Sequence, residues 1–266
     1  MRNLTPIVKK LIIANAVLLA LTMLLERTGV DLSRYLGLHY PASALFSPFQ
    51  LVTHMFMHGG LTHLFFNMYA LWIFGSALEQ VWGPKRFLLY YFATGLGAAS
   101  LHLFVSWIEI EHVQQAAKAL TNTLSPEAFE AFVVKHFGDS INPAAVDEFV
   151  SRWASAPDSP ALAAQAEEAV QSLVAGQMDI PMVGASGAIY GVLLAFGMLF
   201  PNAQLMLLIP PIPIKAKYLV VGYGVLELAL GLSNPGSSVA HFAHLGGMLF
   251  GFLLIRYWQK KSQYFY

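Results

Sequence analysis

Six apolar stretches of about the length needed to cross a bilayer constrain this chain more than any other feature. A helix needs roughly 20 mostly apolar residues to cross the hydrocarbon core. The stretches are Val8–Leu25, Leu61–Gln80, Arg86–Ser106, Val183–Phe200, Ala216–Leu232 and Val239–Trp258. They predict an all-α membrane protein with six transmembrane helices. Composition agrees, because charged residues make up only 11% of the 266 residues, against about 25% in soluble domains.

The amino terminus and the lack of cysteine narrow the kinds of protein and of functional site that this sequence can form. Arg2, Lys9 and Lys10 give the first stretch the charged start of a signal peptide. No small-x-small cleavage site precedes Glu26, so we interpret the stretch as a retained membrane anchor. The chain has no cysteine, which excludes disulfides, thiolate metal sites and a cysteine nucleophile. No run of lysine or arginine indicates nucleic acid as a partner.

Basic residues near the ends of the apolar stretches predict the orientation of the chain. Most of them form four groups: Arg2 with Lys9 and Lys10, Lys85 with Arg86, Lys215 with Lys217, and Arg256 with Lys260 and Lys261. These groups lie at alternate ends of a six-span path, so all are expected on the cytoplasmic side. Both termini are then cytoplasmic, while the loops Glu26–Gly60 and Ser233–Ser238 lie outside. The membrane we expect is the plasma (inner) membrane of a bacterium.

Residues 108–180 form a different kind of sequence between the third and fourth stretches. Eleven of the fifteen acidic residues fall between Glu109 and Asp179. Three dipeptides, Ser125-Pro126, Asn142-Pro143 and Ser159-Pro160, pair a capping side chain with a proline at the first helical position. We predict a helical insert outside the membrane, flanked by residues 1–107 with spans one to three and residues 181–266 with spans four to six. The insert either packs on the outer loops or docks an unidentified partner.

The fourth and sixth stretches carry a serine and a histidine that can form a nucleophile and its base. The pairs Gly187 with Gly191 and Gly247 with Gly251 allow two transmembrane backbones to approach closely. Ser186 precedes the first pair and His244 lies one turn before the second, so both are expected at similar depth. A serine hydroxyl needs such a base because it is a weak nucleophile at neutral pH. Ionisable groups inside a membrane usually mark function.

The group that orients the histidine is less clear from sequence. A triad needs a carboxylate, and the predicted spans contain only Glu79 and Glu227. Glu79 lies at the cytoplasmic end of its span, whereas Glu227 lies in the outer half of span five, where depth permits a contact. We predict a Ser–His dyad with Glu227 as a hydrogen-bonded packing residue, and the triad stays open. Tyr190 is expected to pack on the His244 ring, and His241 to face a loop or solvent.

The start of the second stretch supplies candidate oxyanion donors. His63 and Asn67 are four residues apart and therefore share one helix face near its outer end. A tetrahedral intermediate of acyl transfer needs preorganised hydrogen-bond donors around its negatively charged oxygen. The His63 imidazole, the Asn67 amide and the backbone N–H of Ser186 can supply them. Upstream, His54 and His58 are expected to line the outer loop or a water-filled cavity.

These blocks resemble the rhomboid family of intramembrane serine proteases. The matching positions are His63 with Asn67, then Gly184, Ser186 and Gly187, and finally His244, Gly247 and Gly251. The resemblance implies a six-helix core with a catalytic cavity open to the outside, Ser186 and His244 as catalytic residues, and single-span membrane proteins in the lipid bilayer as substrates. Two features depart from the family: the long insert, and Phe49-Gln50 where members often carry an arginine.

Three alternatives were weighed beside this interpretation. A catalytically silent relative that binds or retains membrane proteins would lack the serine or the histidine, and this chain has both. A small transporter or channel would show an internal repeat, which we do not find. His54, His58 and His63 could bind zinc, but no carboxylate accompanies them in a zinc-protease pattern. We therefore expect no metal and no other cofactor.

Overall fold

The computed structural model describes residues 4–138, 140–206, 212–233 and 241–261. Its elements in chain order are α1 (Pro6–Glu26), α2 (Leu32–Leu36), α3 (Gln50–Thr53), a 3₁₀ turn (His54–Phe56), α4 (Leu61–Ala70), a π turn (Leu71–Gly75), α5 (Ser76–Trp82), α6 (Pro84–Thr121), α7 (Pro126–Phe137), α8 (Pro143–Ala154), α9 (Pro160–Met178), α10 (Ser186–Leu199), β1 (Gln204–Met206), β2 (Pro213–Lys215), α11 (Ala216–Ser233) and α12 (His241–Lys261). The two strands pair antiparallel. The described chain is thus mostly helical.

Four of the described helices are long and apolar enough to cross a membrane. They are Pro6–Glu26, Leu61–Trp82, Pro84–Thr121 and Ala216–Ser233. Helix α10 is apolar but has 14 residues, which span roughly 21 Å at 1.5 Å per residue. The count of six spans stays a prediction. Arg2, most of the Ser233–Ser238 loop, and the start of the sixth stretch at Val239 lie outside the described residues.

The chain divides into two compact units. The first contains the described parts of Met1–Pro41, Leu45–Val105 and Pro181–Tyr266, and the second contains Ala42–Ala44 and Ser106–Ile180. In the second unit, Ser125, Asn142 and Ser159 each accept a hydrogen bond from a backbone N–H of the helix that follows. The three helix starts predicted from the capping dipeptides are therefore confirmed. A core that includes Trp153 and the phenylalanines of α7 holds this unit together.

Helix α6 continues beyond the third predicted span. Helix α6 has 38 residues and continues to Thr121, whereas the apolar pattern ends at Ser106. Residues 107–121 include three alanines, two glutamates and two glutamines, which favour helices, and neither glycine nor proline interrupts them. A loss of hydropathy ends the apolar stretch without ending the helix.

Glu79 has a structural role at the start of α1. Its carboxylate accepts hydrogen bonds from the backbone N–H groups of Ile7 and Val8, both at 3.0 Å, and from the Thr5 hydroxyl. The first N–H groups of a helix have no partner within the helix, and the helix dipole favours a negative charge there. Only 3% of Glu79 is exposed. This buried carboxylate ties α1 to α5.

Glycines bring α10 and α12 into backbone contact. A Cβ atom on Gly247 would lie 1.8 Å from the carbonyl oxygen of Gly187, and one on Gly187 would lie 2.4 Å from the Ala98 methyl group. The second glycine of each predicted pair, Gly191 on α10 and Gly251 on α12, packs against α6. There the Tyr90 hydroxyl donates to the Gly191 carbonyl at 2.8 Å. Small residues thus fix the distance and the register between the two helices that carry the serine and the histidine.

Candidate active site

The backbone before α10 places Ser186 at the first position of that helix. Gly184 has a φ of +128°, a conformation that residues with a Cβ rarely adopt, and its N–H donates to the His54 carbonyl at 2.9 Å. A Cβ on Gly184 would also lie 2.9 Å from the His63 ring. Glycine is therefore required here both by conformation and by space. The same added Cβ would lie 3.6 Å from Oγ of Ser186, so the turn brings the serine side chain close to His63.

Ser186 and His244 are brought together across α10 and α12. The Ser186 Oγ lies 2.9 Å from Nε2 of His244, a normal hydrogen-bond distance. Tyr190 stacks on the imidazole, with ring centroids 4.2 Å apart and planes within 4° of each other. The distance suits proton transfer from the hydroxyl to the ring, and the stacking holds the ring in that orientation.

A buried carboxylate lies on the other side of the His244 ring. Oε2 of Glu227 is 3.0 Å from Nδ1 of His244, although this contact does not meet the geometry of a hydrogen bond. The same oxygen accepts a hydrogen bond from Nδ1 of His241 at 2.7 Å, and Oε1 accepts one from the Tyr190 hydroxyl. The expectation that His241 faces a loop or solvent is wrong, because only 8% of it is exposed.

This cluster also has the donor set of a metal site. Ligand atoms of Glu227, His241 and His244 lie within 4.8 Å of one another, and zinc accepts carboxylate and imidazole ligands. Two ligands of a tetrahedral zinc are about 3.3 Å apart, since each lies about 2.0–2.1 Å from the ion. The 2.7 Å between Glu227 and His241 is shorter and matches a hydrogen bond. We therefore interpret the contact between Glu227 and His241 as a hydrogen bond and not as a pair of metal ligands.

His63 and Asn67 lie on the helix that faces the serine. The Gly59 N–H donates to Nδ1 of His63 at 3.3 Å, so the proton of the neutral ring is on Nε2, which lies on the side of the ring that faces Gly184. The Asn67 side-chain amide donates to the His63 carbonyl at 3.0 Å. A primary amide has two N–H donors, so one remains for a second acceptor.

His54 and His58 are buried and neutral. Burial lowers the pKa of both to about 4, and for His58 the nearby His63 is a smaller cause. The His58 and His63 rings are 5.0 Å apart, and His54 lines a small cavity together with Met55, Gly184 and Ser186. A neutral imidazole can donate and accept hydrogen bonds, so His54 adds a polar side chain to the lining of this cavity.

Gln50 organises the outer loop, at a place where the family that the sequence resembles often carries an arginine. Its side-chain carbonyl oxygen accepts hydrogen bonds from the backbone N–H groups of His39 at 3.3 Å and of Ser47 at 3.1 Å. Its amide donates to the carbonyls of Tyr35 at 3.1 Å and Leu45 at 2.9 Å. With 1% of its surface exposed, Gln50 satisfies four backbone groups of the loop. The hydropathy pattern of the sequence does not indicate that Gln50 makes these hydrogen bonds.

Two residues, Glu227 and His241, make more contacts around His244 than the sequence predicted. Depth along the membrane allowed Glu227 to approach the site, but no sequence pattern fixes the rotation of α11. A signal for His241 was present, because residues three apart share a helix face and His241 precedes His244 by three.

Comparison with known proteins adds an independent line of evidence. The model of the Rhomboid domain matches residues 46–109 and 161–261. Over 47 residues the chain is 47% identical to the rhomboid protease GluP of Bacillus subtilis, which covers 18% of this chain and 9% of that protein. Over 218 residues it is 25% identical to the mitochondrial presenilin-associated rhomboid-like protein A of Danio rerio, which covers 80% of this chain and 39% of that protein.

The chain also matches a third relative, over a length between those of the first two matches. The chain is 36% identical over 83 residues to rhomboid protein 1, mitochondrial, of Saccharomyces cerevisiae, which covers 31% of this chain and 24% of that protein. The match thus spans well under two thirds of each of these relatives.

Proposed function

Because this chain belongs to the rhomboid family, we propose that it is an intramembrane serine endopeptidase. Its substrates are single-span membrane proteins, which it cleaves in or near their transmembrane segment. The observation that carries the proposal is the 2.9 Å contact between Ser186 Oγ and His244 Nε2 on two helices held together by glycine contacts. A serine paired with a base at hydrogen-bond distance is the arrangement of an activated nucleophile.

The reaction begins with acylation of Ser186. Its oxygen attacks the carbonyl carbon of the scissile peptide bond while Nε2 of His244 takes the hydroxyl proton. The tetrahedral intermediate then expels the amine, which receives that proton from His244, and an ester on Ser186 remains. A water molecule, deprotonated by His244, attacks the ester; the bond to Ser186 then breaks, His244 returns the proton to the serine oxygen, and the carboxylic acid leaves.

The negative charge of the tetrahedral intermediate needs donors. The backbone N–H of Ser186, the Nε2 proton of His63 and the free amide hydrogen of Asn67 supply them in this proposal. The tautomer of His63 supports its part, since the Gly59 N–H occupies Nδ1. Removal of one such donor typically raises the barrier by about 2.7–4 kcal/mol.

The wider architecture belongs to the same proposal. The chain is a membrane protein, and we assign it six spans with both termini in the cytoplasm and with the insert and the cavity outside. Several relatives that match most of this chain carry mitochondrial names. This weakens the expectation of a bacterial plasma membrane, and a mitochondrial membrane is the competing assignment.

A fluorophosphonate probe tests the function directly, because it reacts with activated serines. Wild-type protein in lipid or active detergent preparations should be labelled and should cleave a single-span reporter. Ser186→Ala should abolish both labelling and cleavage. His244→Ala should abolish cleavage and slow labelling strongly, while both variants keep the thermal stability of a folded protein. Labelling that persists in Ser186→Ala, or no labelling of the wild type, contradicts the proposal and favours a silent binding or retention factor.

A further inference from the structure

Three side chains from two helices converge on the carboxylate of Glu227. Tyr190 of α10 bonds to Oε1, while His241 and His244 of α12 lie 2.7 Å and 3.0 Å from Oε2. Glu227 itself is 5% exposed. A buried carboxylate within a membrane protein is costly, so partners on both oxygens are needed to hold it there.

We infer that Glu227 is a positioning residue of the active site, so that the site works as a Ser–His–Glu triad in which Tyr190 and His241 fix the carboxylate. The inference rests on the proposed proteolysis. It extends the Ser–His dyad that the sequence favoured, and it assigns a purpose to three polar groups that the acyl-transfer steps above leave unused.

The first argument concerns the tautomer of His244. A neutral imidazole carries one proton, on either Nδ1 or Nε2. A carboxylate 3.0 Å from Nδ1 favours the proton on Nδ1, which leaves the lone pair of Nε2 facing the Ser186 hydroxyl at 2.9 Å. With the opposite tautomer, Nε2 could not accept the serine proton.

The second argument concerns charge in the transition state. When His244 takes the proton it becomes an imidazolium, and the carboxylate 3.0 Å away stabilises this positive charge. The proton remains on the imidazole, as it does in serine protease triads. The contact is loose in the resting state, and such bonds often tighten only when substrate is bound.

The third argument concerns how the carboxylate is held. His241 donates to the same oxygen that faces His244, and Tyr190 holds the other oxygen while its ring stacks on His244. Glu227 therefore cannot rotate away from His244 without breaking two hydrogen bonds. Loss of either donor should weaken the orientation of His244 without removing a group that reacts.

The decisive variant is Glu227→Gln, which keeps size and removes charge. Its side-chain NH₂ can donate to Nδ1 of His244 and so favour the wrong tautomer. We expect kcat for a reporter substrate in liposomes to fall by roughly 10²–10⁴-fold, by analogy with a neutralised triad carboxylate, with KM little changed. The matched control is Glu79→Gln, a second buried carboxylate that caps α1; it should lower the melting temperature and leave kcat per folded molecule near wild type.

Tyr190→Phe provides a second variant that keeps the ring stacked on His244. It removes only the hydrogen bond to Glu227, so kcat should fall by roughly tenfold with unchanged KM, in keeping with a lost hydrogen bond to a charged group. If Glu227→Gln fails to fold, this variant decides the question. A kcat within twofold of wild type for a folded Glu227→Gln, or for Tyr190→Phe, would overturn the inference.

A double variant tests whether His241 acts through Glu227. His241→Gln alone should lower kcat by roughly tenfold, since one donor to the carboxylate is weakened. Adding it to Glu227→Gln should cost nothing further, because groups that act as a unit are not additive. Losses that multiply would contradict the shared role. An active, Ser186-dependent wild type with an unaffected Glu227→Gln refutes only the triad, whereas an inactive, unlabelled wild type refutes the proposed function.

Discussion

Gly247→Ala should inactivate the protein by separating α10 from α12. The new methyl group would lie 1.8 Å from the Gly187 carbonyl oxygen, whereas carbon and oxygen atoms in close helix contacts lie about 3.3–3.6 Å apart. The helices must therefore separate by roughly 1.5 Å, since the obstructing atom belongs to the backbone and cannot rotate away. If half or more of this shift reaches the site, the 2.9 Å contact between Ser186 and His244 is lost as a hydrogen bond.

The expected loss is large because the displacement acts on the reacting groups. A misplacement of about 1 Å can cost on the order of 10²-fold in rate, so cleavage and fluorophosphonate labelling should both fall by at least that factor. The melting temperature should fall as well, because the glycine contact also joins the helices. Both rates are measured per folded molecule in liposomes, so unfolding alone does not account for the loss.

Gly222→Ala is the matched control for this variant. Gly222 also lies within a described helix, but an added Cβ has no heavy atom within 4 Å. The same chemical change should therefore leave labelling and cleavage near wild type. Wild-type rates in Gly247→Ala, or equal losses in the two variants, would refute the idea that backbone contact sets the distance between serine and histidine.

Three further predictions concern the surroundings of the site. Asn67→Ala should slow cleavage by roughly 10²–10³-fold, as expected for one lost oxyanion donor, with the melting temperature nearly unchanged; a collapse of folding would assign Asn67 a structural role instead. Gln50→Ala should lower the melting temperature and raise protease sensitivity of the outer loop, because four backbone groups lose their partner; unchanged digestion would contradict this. The pKa values of His54 and His58, lowered to about 4 by burial, imply that the unfolded chain binds more protons between pH 6.5 and pH 4, so stability should fall as the pH drops through this window. Thermal unfolding at pH 7 and pH 5 checks it, and replacing both residues with glutamine should reduce the difference.

Local patterns in the sequence predicted much of the helical structure. Proline after a capping residue marks the starts of α7, α8 and α9, since both the side chain and the fixed φ act on the first turn alone. The apolar pattern does not mark the end of α6, because hydropathy indicates the membrane span and not the extent of the helix. The ends of a helix follow from capping and propensity, and residues beyond Ser106 favour continuation to Thr121.

Long-range roles were harder to predict. Glu79 looked like an acidic residue near the end of a span, and only the fold shows that it caps α1. The four hydrogen bonds of Gln50 join groups up to fifteen residues away, and nothing in the local sequence specifies them. Contacts of this kind depend on how the elements pack, which no single stretch of sequence contains.

The pairing of Ser186 with His244 was predictable for a physical reason that does not extend to Glu227. Glycine pairs identify the contacting faces of two helices, so the rotation of α10 relative to α12 follows from the sequence. Helix α11 carries no such pair: Gly222 has open space around it, Gly224 has only the flexible Met248 side chain within 4 Å, and Gly231 packs singly against His241 and Phe242. Glu227 adds hydrogen bonds from α11 to Tyr190 of α10 and His241 of α12. The carboxylate that we propose to orient His244 thus also ties α11 to α10 and α12, and its position depends on packing that the sequence pattern does not specify.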